Sequence, residues 1–201
     1  MTAVKMRIAM GLVVVGAVLP IAACGSGGER GEQAPATATT TDEQGPPHNS
    51  ADVTFAEEMI PHHQQAIALA ALVPGRSTNP EVIKIAAGIA AQQEPEMTAM
   101  RAMMIQWQVD PPTVSHHGGS TQSGNQQGMV DDATMATLKT LKGDQFDTLW
   151  LKSMISHHQG AVAMAKVEIA HGESQDMKAT ANNIVITQEA EIVELTQLLG
   201  G

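Results

Sequence analysis

One internal repeat limits what this chain can fold into more than any other feature. Two segments align without a gap at an offset of 95 residues. Asp52 matches Asp147, Phe55 matches Trp150, and Met59-Ile60 matches Met154-Ile155. His62-His63-Gln64 matches His157-His158-Gln159, and Gln93-Glu94-Pro95-Glu96 matches Gln188-Glu189-Ala190-Glu191. Whatever unit the first copy forms, the second forms again, and the two must bury their apolar faces together.

The unit is a pair of helices. In the first copy Phe55, Met59, Ala66 and Leu69 recur at spacings of three and four, or sums of them, followed by Val82, Ile85, Ile89, Met97, Met100 and Met104. The second copy answers with Trp150, Met154, Ala161, Met164 and Ala165, then Met177, Ala181, Val185, Ile192, Leu195 and Leu199. No period-two run competes. Pro74-Gly75 and Asn79-Pro80 break the first copy and His171-Gly172 breaks the second, which is where turns belong. The pattern predicts helices over 52–73, 80–107, 144–171 and 175–199, in an all-α four-helix bundle of two repeated antiparallel hairpins. Pro61 lies inside the first helix, where it removes one backbone hydrogen bond and favours a kink. The connection, 108–143, contains a polar stretch with His116-His117 and a short helix, Ala133 to Leu141, capped by Asp131 or Asp132. The His116-His117 loop can capture metal or simply be solvated.

The chain has 201 residues, and the first fifty lie outside the repeat. Lys5 and Arg7 precede an apolar stretch from Ile8 to Leu19, too short to span a bilayer. Ile21-Ala22-Ala23-Cys24 follows and resembles a bacterial lipobox. Residues 1–23 read as a lipoprotein signal peptide, with Cys24 lipidated by chains such as palmitate. Residues 24–50 then form a flexible tether, poor in large apolar side chains, and 51–201 the helical domain. This places the protein outside the cytoplasm, anchored to the cell membrane through Cys24. His48, in the tether, reads as solvated.

A net charge of -10 argues against nucleic acid as a partner, since phosphate binding needs a basic face. The single cysteine excludes a disulfide framework and a cysteine zinc site. Thirteen methionines against two Phe and two Trp put thioether sulfur where aromatics usually pack.

The polar residues of the stripes carry the chemistry. Met59, His62 and His63 lie near one helix face, as do Met154, His157 and His158. Gln93, Glu96 and Met97 share a face on the return helix, as do Gln188 and Glu191. In an antiparallel hairpin, residues at one height centre on the turn. His63 with Gln93, and Met59 with Met97, both centre on residue 78; His158 with Gln188 centres on 173. Two packed hairpins therefore gather four imidazoles, two amides, two carboxylates and several thioethers. Imidazole suits copper, zinc, iron and nickel; thioether favours Cu(I). The carboxylates and amides can ligate or accept an imidazole N–H. Two other readings remain open: methionines as core filler, and the histidines as a buried polar network that fixes register.

Met-Ile-x-His-His-Gln followed by Gln-x-x-Glu resembles the family catalogued as domain of unknown function 305, over about residues 51 to 200. The resemblance implies an exported, ferritin-like helical protein associated with copper. It also implies a metal role for Met59, His62, His63, Met154, His157 and His158, with Gln93, Glu96, Gln188 and Glu191 as further candidates. No Glu lies three residues before any motif histidine, unlike in di-iron carboxylate bundles. The leading expectation is a membrane-anchored copper-binding protein, with another divalent transition metal as the alternative ion. A metal-dependent oxidase or hydrolase, and a structural module, are the competing functions.

Overall fold

The computed structural model describes residues 45–113 and 127–200. The signal segment, Cys24, most of the tether and His116-His117 lie outside them. The fold is all-α: α1 Ser50–Ala70, α2 Pro80–Gln106, α3 Asp132–Thr140, α4 Gly143–His171 and α5 Gln175–Gly200, with no strand among the described residues. No helix among these residues is long and apolar enough to cross a membrane.

Local chemistry sets the boundaries. Asn49 starts α1 with a reciprocal cap: its side chain accepts from the Ala51 and Asp52 backbone N–H groups, and its own N–H donates to Asp52 Oδ2 (2.7 Å). The helix therefore begins at Ser50, two residues before the expected start at 52. It stops at Ala70 rather than at residue 73, because Pro74 disfavours helical backbone at Val73 and Gly75 takes a positive φ of 76°. Pro61 lies inside α1, which continues through it. Asn79 caps α2 with Pro80 in its first turn, and Asp131 caps α3. His48 is not free in solvent: its ring stacks on Trp107 with centroids 4.6 Å apart.

Each copy folds as a hairpin, α1 on α2 and α4 on α5, and the hairpins join through α1 against α4 and α2 against α5. The Trp150 indole N–H donates to the Leu69 carbonyl (2.9 Å), and His62 meets His157. These two contacts set α1 antiparallel to α4.

The core is divided in two. Leu69, Val82, Ile89, Phe146, Trp150, Met154 and Leu195 fill one end. Phe55, Met59, Met97, Met100, Met104, Met177 and Ile184 fill the other. Along each long helix, the residues between the clusters are His62-His63, Gln93, His157-His158 and Gln188, all buried. A polar layer thus crosses the molecule at mid-height.

Two further contacts hold the hairpins together. The segment Gln127–Val130 lies across α1 and α4 as a strap, clamped by Gln65, whose side chain accepts from the Val130 N–H (2.7 Å) and donates to its carbonyl (2.8 Å). On α4 the strap crosses Gly160, where a β-carbon would run into the Gln127 carbonyl. At the far end, Asp52 accepts from the Glu173 and Ser174 backbone N–H groups (3.1 and 3.0 Å), tying the start of α1 to the α4–α5 turn. Burial works to raise the Asp52 pKa, but hydrogen bonds from Asn49, Glu173, Glu168 and Ser174 outweigh it and hold the pKa below the ordinary value. Glu168 beside it is pushed up to about 8 by burial and by the Asp52 charge.

Glycine substitutions test the strap. Gly160→Ala should destabilise by about 1–3 kcal/mol, the usual cost of overpacking. Gly88→Ala, mid-helix with open space around it, should stabilise by about 0.5–1 kcal/mol. Urea midpoints read both; a neutral Gly160→Ala would show that the strap does not bear on α4. Glu168 makes a separate pH prediction. Its folded pKa lies above its unfolded value, so the stability it contributes is complete in acid and lost as pH rises towards about 8. Relative to Glu168→Gln, the wild type should lose Tm between about pH 5 and pH 9. Parallel Tm–pH curves would contradict the shared proton.

Candidate metal centre

The polar layer is built from the two His-His pairs. A helix places neighbours about 100° apart, so one imidazole of each pair turns towards the other hairpin and the next towards its own return helix. His62 and His157 face each other between α1 and α4, with ring centroids 3.7 Å apart and planes tilted by 35°. His63 Nε2 donates to Glu96 Oε2 (2.7 Å) on α2, and His158 Nε2 donates to Glu191 Oε2 (2.8 Å) on α5. The repeat is therefore reproduced at the level of single hydrogen bonds. The partner of His63 is Glu96 rather than Gln93, about one turn further along α2; Gln188 gives way to Glu191 in the same manner.

These bonds decide where the lone pairs are. A neutral histidine that donates from Nε2 keeps an unprotonated Nδ1. His62 is in that state, its Nε2 donating to the Gln127 carbonyl (3.1 Å). The Nδ1 atoms of His62, His63 and His158, and both ring nitrogens of His157, are buried without a hydrogen-bond partner. The amide groups of Gln93 and Gln188 are buried and unpartnered too. Burial, then repulsion from His63, drives the His62 pKa down to about 3. Burial, then His62, lowers that of His157 further. Both rings are neutral at any physiological pH, the form in which imidazole binds metal.

Antiparallel packing sets the methionines apart. Met59 and Met97 lie in one apolar cluster and Met154 in the other, so thioethers flank the histidine layer from opposite sides. Among the described residues no three His, Cys, Asp or Glu side chains converge on one point able to hold a metal. The donors that gather here are imidazoles with thioethers and amides around them.

Three features were not visible in the sequence. Gln127 caps His62 from within the polar connection, and no periodicity marks it. Asp52 and Glu168 form a buried acid pair: they extend the stripes, three residues before Phe55 and three after Ala165, but nothing in two charged side chains marks them as buried. Gln65 and Gly160 offered a signal: they occupy equivalent positions in the repeat yet differ, and it is there that one copy clamps the strap while the other makes room for it.

This arrangement of repeated helices and buried histidines places the chain in a family: it belongs to DUF305, a domain of unknown function, which matches residues 52–199. Among solved structures it is similar to a DUF305 protein of Streptomyces coelicolor described as secreted, with 36% identity, 75% of this chain and 93% of that one covered, and a TM-score of 0.67. It is also similar to a DUF305 fragment from Deinococcus radiodurans, with 34% identity, 77% and 99% covered, and a TM-score of 0.68. The copper protein CopM in its Cu(II)-bound form matches at 31% identity over 74% of this chain and 95% of its own, with a TM-score of 0.64. CopM has also been solved with Cu(I) and with silver. No curated protein sequence matches the chain.

The His–carboxylate pairs make a direct stability prediction. Glu191→Ala leaves His158 with two unpartnered ring nitrogens in the core and should cost about 1–3 kcal/mol. Glu96→Ala should cost a similar amount, because His63 is equally buried. Chemical denaturation of both variants checks this, and a loss in only one would show that the two copies are not equivalent.

Proposed function

We propose that this protein binds copper in the layer between its two hairpins and buffers or hands on the ion outside the cytoplasm. The observation that carries the reading is the set of orphaned imidazole nitrogens: five ring nitrogens on His62, His63, His157 and His158, all buried, none with a partner. A polar layer that only fixed register would have its hydrogen bonds satisfied, since an unpaired buried group costs about 1–3 kcal/mol. A metal ion satisfies lone pairs that the protein itself leaves empty. The Glu96–His63 and Glu191–His158 pairs follow the carboxylate–histidine pattern that orients metal ligands. In this reading the ion sits at the facing His62 and His157, with His63 and His158 as the neighbouring imidazole donors of the layer. Met59, Met97 and Met154 add soft donors, Gln93 and Gln188 add amide oxygens, and Glu96 and Glu191 orient the rings.

The metal bound by CopM supports copper over another divalent ion, as does thioether sulfur on both faces of the layer. The long helices then act as a ferritin-like four-helix bundle whose two copies contribute matching halves of the site. Export, with a lipid at Cys24 and the residues after it as a tether, would place the bundle at the extracytoplasmic face of the cell membrane.

Anaerobic Cu(I) competition and Cu(II) calorimetry test the reading. The wild type should bind copper, and His62→Ala/His63→Ala and His157→Ala/His158→Ala should each lose affinity while remaining helical. Glu96→Ala or Glu191→Ala should weaken binding by about 10–100-fold, the usual cost of losing a ligand's orienting partner. Met59→Leu/Met97→Leu/Met154→Leu should weaken Cu(I) more than Cu(II). Unchanged copper affinity in both histidine double variants would remove these residues from the site.

A further inference from the structure

The facing imidazoles of His62 and His157 are fully buried, so an ion reaches them only where a wall of the layer yields. Most of those walls are helix. Apolar clusters close the layer on two sides, and the buried Gln93 and Gln188 close it towards α2 and α5. At the hairpin seams the bonds of His63 to Glu96 and of His158 to Glu191 join helix to helix. Opening any of these parts helices that share a core, which exposes apolar surface to water.

The strap is the exception, because beside His62 it is one residue thick. Gln127 is exposed, yet its carbonyl accepts from His62 Nε2 (3.1 Å). Gly128 follows with a positive φ of 83°. A β-carbon there would strike the Ser156 carbonyl oxygen and lie 3.1 Å from His157 Cα, and one on Gly160 would run into the Gln127 carbonyl. The strap thus lies against both facing histidines, and it crosses α4 backbone on backbone. Parting such a crossing uncovers little apolar surface. The two ends of the strap are held differently. Val130 is buried in the apolar cluster around Trp150, and Gln65 bonds its N–H and its carbonyl. The Gln127–Gly128 end has the single bond to His62, whose net worth is small because water replaces it. A segment with so few buried contacts opens locally while the fold around it stays closed.

We propose that the Gln127–Gly128 end of the strap is the door to the copper site: it swings on Val130, lets go of His62 Nε2 and admits the ion to His62 and His157. The inference rests on the copper-binding reading above and adds the route to it. A door speeds or slows uptake as well as release. A change in the ligands alone alters release and leaves uptake as it was.

The test uses the full chain carrying Cys24→Ser, which removes the single thiol. Uptake from Cu(I) in acetonitrile-containing buffer is stopped at set times with bicinchoninate, and release is followed by transfer of loaded protein to excess bicinchoninate. Gly128→Ala and Gly160→Ala wedge the crossing open from its two sides. Each should speed both uptake and release by about fivefold, the factor expected for one lost hydrogen bond. Gly88→Ala, the same substitution in open space on α2, should keep the wild-type rates. Gln65→Leu adds nothing to the crossing but loses both bonds to Val130; it serves if the glycine variants do not fold, and it too should speed uptake. Wild-type uptake in the folded variants would overturn the door, and so would faster release with unchanged uptake. Either result, with copper still bound, leaves the copper site standing. A wild type that binds no Cu(I) would overturn both.

Discussion

The burial of four imidazoles in one layer is the constraint to which the rest of the structure answers. Each ring removed from water forgoes hydrogen bonds worth more than its apolar surface returns. The protein meets part of that cost with Glu96, Glu191 and the Gln127 carbonyl. It leaves the remainder open at His157 and at three Nδ1 atoms. Such a layer survives only between apolar clusters that hold the helices regardless of it. Phe146 and Trp150 anchor one side, and the methionine-rich cluster with Phe55 the other. The division of the core is thus a condition for the layer to exist.

Fold and layer were largely legible because both are periodic. A gapless repeat with spacings of three and four fixes helical hairpins, and adjacent histidines on an apolar stripe must enter the core they flank. The index arithmetic found the right level but the nearer residue, Gln93, where the longer reach of Glu96 from the next turn meets His63. Contacts that break the repeat were not legible. Gln127 and Val130 belong to a connection without pattern, and their place depends on the clamp of Gln65 and the bare surface of Gly160. Glu168 aligns with Val73 in the first copy, so the repeat itself hides its pairing with Asp52. The helix end at Ala70 was a local matter: the apolar pattern ran on to Val73, and the backbone restriction before Pro74 overrode it.

The strap makes two equal halves unequal. By repeat symmetry His62 and His157 should have the same surroundings, yet one donates to a carbonyl and the other has no partner. A protein with two identical half-sites would offer an ion no preferred orientation. With Gln127 fixed on His62, that ring's tautomer is set and its Nδ1 presented, while His157 is free to offer either nitrogen. One imidazole is pre-arranged and the other adaptable, the combination that the proposed copper role asks of a site that takes up an ion and gives it up.

That asymmetry also ties the layer to the acid pair at the end of α1. The strap reaches α1 through Gln65 and His62 and covers α4 at Gly160, while Asp52 binds α1 to the α4–α5 turn through Glu173 and Ser174. The α1–α4 seam is therefore pinned at both ends and open between them. A seam held only by apolar packing would close on itself, because side chains of this size fill a gap unless something keeps the helices apart. Gly172 shows how tight the lower pin is: a β-carbon there would strike Glu168 and lie 2.9 Å from Asp52 Oδ1. A groove of about 430 Å³ lies between the pins, with Thr54, Glu58, Ala163 and Met164 in its walls, and it persists because both pins are polar and geometrically specific.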